Sequence, residues 1–158
     1  MQILEINGFM VKPQKCEWAV TESNWLGHWL TPNGIQPWKK KIEPILALQK
    51  PTTVRQLRRF IGMINFYRNM WKGRSHVLAT LTALLKFKGK NFASKWTAEC
   101  EKSFDAIKAI ISQETLLHYP DPNKPFHIEM DASDLQLGAV ILQDNQPVAF
   151  YSRKLTSA

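Results

Sequence analysis

The chain is short of the residues that build most catalytic and metal centres. Its two cysteines, Cys16 and Cys100, stand far apart, and its four histidines, His28, His76, His118 and His127, are scattered. Neither pattern has the spacing of a zinc site. Two lone thiols fit free, buried cysteines in a reducing compartment. No Ser or Cys sits in a recognisable nucleophile setting. Apolar runs are too short for a membrane span. No basic, then apolar, then small-residue pattern opens the chain, so a secretory peptide is not expected. The expected location is intracellular, in cytoplasm or nucleus. Internal repeats and low-complexity tracts are missing too. Acids are nearly absent from one long stretch: residues 39 to 90 hold 13 Lys and Arg against a single acid, Glu43.

What is present is enough for one ordinary domain or two small ones: 158 residues, 44% of them hydrophobic. That content excludes a wholly disordered chain. The net charge of +8 is concentrated in the middle, because both flanks are slightly acidic. A basic block between near-neutral flanks suits one polyanion-binding face. A solvated surface that happens to be basic is the alternative, and charge alone does not separate the two. Met1 is followed at once by an apolar pattern with no capping residue, as if the chain opened inside an element of a larger parent.

Residues 1 to 9 read as the last turns of an amphipathic helix, with Gly8 permitting a turn. Pro13 starts an extended stretch through Cys16, Trp18 and Val20. Apolar runs at Trp25 to Leu30 and at Ile35 flank Thr31-Pro32-Asn33-Gly34, a hairpin signal. Helices are expected over Lys39 to Gln49, closed by Pro51, over Val54 to Trp71, capped by Thr52 or Thr53, over Arg74 to Leu85, and over Thr97 to Ser112. Lys86 to Lys90 forms a basic loop. Pro120, Pro122 and Pro125 punctuate a linker before three strand-like runs. The six tryptophans mostly fall at apolar positions, where core packing is the default.

The Val54 to Trp71 helix has two unlike sides at 100° per residue. Val54, Leu57, Phe60, Ile61, Ile64, Tyr67 and Trp71 share one. Arg55, Arg58, Arg59, Gly62, Phe66 and Asn69 share the other. A glycine there costs about 1 kcal/mol of helix propensity against alanine, so something should offset it. Close approach of a nucleic-acid backbone would do so, with Phe66 on a sugar and the arginines on phosphates. Helix-on-helix packing through a small residue is the competing explanation.

The strand-like end reads Phe126-His-Ile-Glu-Met-Asp131-Ala-Ser-Asp134, then Leu137-Gly-Ala-Val-Ile-Leu142, then Pro147-Val-Ala-Phe-Tyr-Ser-Arg153. Asp131 closes the first strand, and alternation puts Glu129 on its face. Gly138 either lets a hybrid backbone near or serves packing or a bulge.

Several motifs follow in order. They are Lys15-Cys16-Glu17-Trp18, Trp25-Leu26-Gly27-His28 with Asn33-Gly34-Ile35, and Pro51-Thr-Thr-Val-Arg-Gln-Leu-Arg-Arg-Phe-Ile-Gly62 with Asn65-Phe66-Tyr67-Arg68. Trp96 with Cys100 and Phe104, Pro120-Asp121, Lys124-Pro125-Phe126 and Met130-Asp131-Ala132-Ser133 complete them. The ordered series resembles the pol polyprotein of gypsy-type long-terminal-repeat retrotransposons and retroviruses, over nearly the whole chain. The resemblance implies an α+β fold in three parts. Residues 1–38 would be the end of a reverse transcriptase palm with a primer-grip-like hairpin, residues 39–117 a helical thumb, and residues 118–158 the first antiparallel strands of a ribonuclease H-like sheet. The family region of that sheet would begin near residue 92.

By the same resemblance, the hairpin from Trp25 to Ile35, with Trp29, would hold the primer end. Arg55, Arg58, Arg59, Gly62 and Phe66 would follow the groove of an RNA–DNA hybrid or DNA duplex. Asp131 would be the first Mg²⁺ ligand of the nuclease. Such chemistry uses two Mg²⁺ ions among several acids, and the later acids are not in this sequence; nor is a Tyr-x-Asp-Asp-type turn for the polymerase. The parent's missing palm, fingers and remaining nuclease would be partners, and Mg²⁺ is not expected to bind this chain tightly. Three readings follow: an enzyme-derived segment inactive alone, a degenerate or domesticated nucleic-acid-binding remnant, or a product without function whose sheet exposes an apolar face.

Overall fold

The computed structural model describes residues 2–89, 91–113, 115–134 and 136–155. A short helix α1 (Gln2–Ile6) leads to a first sheet of β1 (Ser23–Trp25), β2 (His28–Thr31) and β3 (Gly34–Pro37). Helices α2 (Lys39–Leu46), α3 (Val54–Phe66), α4 (Arg74–Leu84) and α5 (Ala98–Ser112) follow. A second sheet of β4 (His127–Ala132), β5 (Gln136–Gln143) and β6 (Gln146–Lys154) closes the chain. Both sheets are antiparallel and ordered as in the sequence. The α+β expectation holds.

The core lies among the helices. Leu57, Phe60 and Ile64 of α3 meet Leu78 and Leu81 of α4 and Phe104, Ile107 and Ile111 of α5. Thr53 caps α3 by accepting from the Gln56 backbone N–H at 3.2 Å, while the Gln56 side chain accepts from Thr52 N–H at 2.7 Å. Thr97 caps α5 in the same way, accepting from Cys100 N–H at 3.3 Å. Each cap satisfies donors that the first helical turn leaves open.

Four expectations change. Helix α3 stops at Phe66, not Trp71. The Asn69 carbonyl accepts from Phe150 N–H of β6 at 2.9 Å, which takes the backbone out of the helical ladder. Tyr67, Met70 and Trp71 nevertheless stay buried. Helix α2 stops at Leu46, short of Gln49: Ala47 N–H still reaches Glu43 O at 3.0 Å, but Leu48 N–H turns in tightly to Ile45 O at 3.2 Å, which ends the helical ladder. Residues 13–20 form a single 3-10 turn at Pro13–Lys15 rather than an extended run, since no strand among the described residues pairs with them. Finally, the stretch from Trp25 to Leu30 is two strands around a Leu26–Gly27 turn.

The second hairpin also differs in detail. Thr31 pairs with Gly34, so Pro32–Asn33 form its centre. Gly34 (φ 149°) is demanded by a neighbour: an added Cβ would lie 2.2 Å from the Leu117 carbonyl oxygen. Leu117 extends the first sheet through a bridge to Ile35, with N–H···O distances of 2.7 and 2.9 Å. His118 N–H then donates to Pro147 O at 2.8 Å. The linker therefore ties one sheet to the other.

Core packing of the tryptophans holds for Trp71 (2% exposed) and fails for Trp18 and Trp25, which are 60% and 59% exposed. Cys100 is buried and Cys16 half-buried.

Candidate nucleic-acid interface

Helix α3 separates its two sides as its sequence period demands. Leu57, Phe60, Ile61 and Ile64 are buried, while Arg55, Arg58, Arg59, Gly62, Phe66 and Asn69 are exposed. No heavy atom lies within 4 Å of a Cβ added at Gly62. Helix packing therefore does not explain that glycine. Among the described residues no acid pairs with Arg55, Arg58 or Arg59. The stripe is an open cationic surface with a notch in it.

At the C-terminal end of the stripe, α3 meets the first hairpin. Leu26 (φ 48°) and Gly27 (φ 83°) form a two-residue turn with both central residues in the left-handed region, the geometry that suits strand twist. The Phe66 ring lies 5.4 Å from His28 and 4.8 Å from Tyr67, centroid to centroid. A Cβ on Gly27 would stand 3.2 Å from that ring. The tip it supports is apolar and exposed at Trp25 and Leu26. Thus the structure brings Phe66 and the Trp25–Leu26 tip together at one end of the arginine stripe.

Trp29 lies elsewhere. Strand alternation sends it to the face opposite His28, and its indole N–H donates to Glu22 Oε2 at 3.0 Å. The hairpin motif contains Leu26 and His28, and the helical period puts Tyr67 on the apolar side, but neither pattern brings His28 and Tyr67 against Phe66. An X-Gly pair between two aromatic runs was the available signal for the turn; nothing local marks that meeting.

Asp131 is exposed on edge strand β4, across from Gly138. Strand register puts His127, Glu129 and Asp131 on one face with Val140, Phe150 and Ser152. That face meets the helices. Ser75 N–H of α4 donates to Ser152 Oγ at 2.9 Å, and Ser75 Oγ donates to Gln136 Oε1 at 3.1 Å. Asp131 and Glu129 line a cleft of about 210 Å³ with Lys72, Gly73 and Gly138. Glu129 lies 3.8 Å from His127 Nε2. Among the described residues no three His, Cys, Asp or Glu side chains gather to hold a metal. The donor set is thus too small for a Mg²⁺ pair. Gly138 is not forced by packing: a Cβ there would stand 3.7 Å from Asp131 O, an ordinary contact. The irregularity in β5–β6 pairing lies at Ile141/Leu142 instead.

The opposite face of this sheet is apolar and open, with Met130 81% and Ile128 56% exposed. No helix among the described residues is long and apolar enough to cross a membrane.

Residues 96–158 match the family described as the RNase H-like domain found in reverse transcriptase. The chain is 36% identical over 141 residues to the retrovirus-related Pol polyprotein from transposon 297 of Drosophila melanogaster, and 38% identical over 148 residues to that from transposon 412. The chain is of the retrotransposon Pol type. These alignments take in 89% and 91% of the chain but only 13% and 12% of the two polyproteins. The Pol-type fold extends further. A structure of the foamy viral protease-reverse transcriptase in complex with RNA/DNA hybrid superposes on 98% of the chain with a TM-score of 0.85, at 24% identity, and the match takes in 21% of that viral chain. The same enzyme in complex with dsDNA gives the same TM-score.

Proposed function

We propose that this Pol-type chain holds paired nucleic-acid strands along α3 and carries out neither polymerisation nor hybrid cleavage by itself. The observation that carries the reading is Gly62: a helix-interior glycine, facing open space, between exposed arginines. In this reading residues 39–117 act as a thumb, residues 1–38 supply the hairpin beside the primer end, and residues 118–158 form the start of the nuclease sheet. Arg55, Arg58 and Arg59 meet phosphates, while the notch admits the sugar-phosphate backbone. The RNA/DNA hybrid and dsDNA held by the foamy viral enzymes of similar fold support this partner class. The sequence has no two adjacent aspartates for a polymerase turn. Among the described residues no further acids gather at Asp131 into the set that a two-metal nuclease uses.

Gly62→Ala tests the reading because its two effects oppose one another. The folded state gains about 0.5–1 kcal/mol from helix propensity, while affinity for an RNA–DNA hybrid falls. Replacing Arg58 and Arg59 with Ala weakens binding and lowers the log–log salt slope by about 2. Tighter or unchanged hybrid binding by Gly62→Ala, or an unchanged salt slope, would sink the assignment. Mg²⁺-dependent hybrid cleavage lost in Asp131→Asn would sink the inactivity.

A further inference from the structure

Three separate elements converge on one carbonyl. The Gly27 oxygen accepts from the Tyr67 hydroxyl at 2.7 Å and from Trp38 N–H at 3.1 Å. Gly27 belongs to the tip of the first hairpin, Tyr67 follows α3, and Trp38 precedes α2. Tyr67 is 3% exposed, and its ring sits edge-on to Phe66, 5.3 Å from His28 and 5.7 Å from Trp71. A buried phenol needs a hydrogen-bond partner, and among the described residues the oxygen it bonds belongs to a turn 40 residues away. The turn itself needs holding: Leu26 is a γ-branched residue at φ 48°, where an L-residue is strained by about 1 kcal/mol or more.

We propose that Tyr67 is a positioning residue that latches the Trp25–Leu26 tip to the end of α3, so that tip and Gly62 notch present one continuous surface to a duplex. The inference rests on the duplex-binding reading and deepens it. The arginines supply attraction that is insensitive to where the tip lies. The tip supplies an apolar contact, which counts only if its distance from the stripe is fixed. Phe66 and His28 fill the space between them, and the hydroxyl sets the register. Burial raises the Tyr67 pKa above the ordinary phenol value, so the hydroxyl remains a donor throughout the neutral range.

The test is a double-mutant cycle on the purified chain with an RNA–DNA hybrid as probe. Tyr67→Phe keeps the ring and removes only the hydroxyl. It is expected to weaken binding about three- to tenfold, the scale of one net hydrogen bond, in the native chain and in the Arg58→Ala/Arg59→Ala background. In a Leu26→Ala background, where the tip contact is already gone, the same change is expected to cost nothing. A merely structural role would give the same loss in all three. That equal loss, or no loss in the native chain while the arginine variant still binds weakly, overturns the latch and leaves the duplex reading standing. An arginine variant that binds as well as the native chain overturns both. If melting curves show that Tyr67→Phe does not fold, the ring resonance of ¹³Cζ-labelled Tyr67 in the native chain decides, because the Gly27 carbonyl also accepts from Trp38 N–H. A hydrogen-bonded shift kept on adding hybrid supports the latch, and its loss overturns it.

Discussion

The helical layer and the second sheet of this chain settle the same problem differently. Helices α3, α4 and α5 bury one another, so Leu57, Ile64, Leu81 and Ile107 have no exposed surface. Sheet β4–β6 satisfies its backbone through two full ladders, yet Val140 is the one buried apolar side chain in its described strands. Hydrogen bonds define the sheet, whereas side-chain packing holds the helices. The lesson concerns where function can sit. A surface supported by a closed core, such as the arginine stripe, has a fixed shape without help. The sheet whose edge strand carries Asp131 is tied to the helical layer by few bonds, chiefly from Ser75 to Ser152 and Gln136, and from Phe150 N–H to the Asn69 carbonyl.

The contrast can be broken most sharply by truncation. Ile64→Ala in the helical core is expected to cost about 2–5 kcal/mol by denaturant unfolding, because the neighbours close only part of the cavity. Met130→Ser, on the open face of the sheet, is expected to stay within about 0.5 kcal/mol. Comparable losses would show that the two layers are equally packed.

A smaller effect sits at the joint between the layers. Gly34→Ala sets a Cβ against the Leu117 carbonyl at a φ that disfavours side chains. The expected loss is more than about 1 kcal/mol, with faster hydrogen exchange at the Ile35 and Leu117 amides. Unchanged protection at those two amides would mean that the linker does not hold the sheets together.

The smallest effect is electrostatic. Glu101 accepts from Trp96 Nε1 at 2.5 Å and lies 3.2 Å from Lys50. The indole hydrogen bond first, and Lys50 second, hold its carboxyl below the ordinary value of 4.5. A depressed carboxylate stabilises the fold above its unfolded pKa, and that contribution fades as pH falls through the folded one. Melting temperatures of the native chain and Glu101→Gln should therefore differ slightly at pH 7 and converge toward pH 3. A gap that widens with acid would contradict the assignment.

Much of this was legible from the chain alone. Thr52 and Thr53 announced a helix start, and Thr53 proved to be its cap, because a cap acts on amides two or three residues away. The 3.6-residue period separated Ile64 from Arg58 for the same local reason. Strand alternation correctly grouped Glu129 with Asp131. The failures share a cause as well. Asn33–Gly34 looks like the centre of a turn, yet Gly34 is required by Leu117, a distant residue. The Trp25–Leu30 run looks continuous because a leucine in a left-handed turn carries no compositional warning. Trp25 looks like core because hydrophobicity does not reveal whether a partner surface lies opposite.

By itself, the sequence determined where the four longer helices begin, the cap of α3 to within one residue, the placement of arginines opposite the apolar side of α3, and the kinship with Pol polyproteins. Each depends on residues within a turn or two of one another, or on the order of motifs. Only tertiary structure decided that Gly62 faces open space, that the Trp29 indole bonds Glu22, and that Tyr67 reaches the Gly27 carbonyl. Those outcomes depend on which distant surfaces meet, and no local period encodes that.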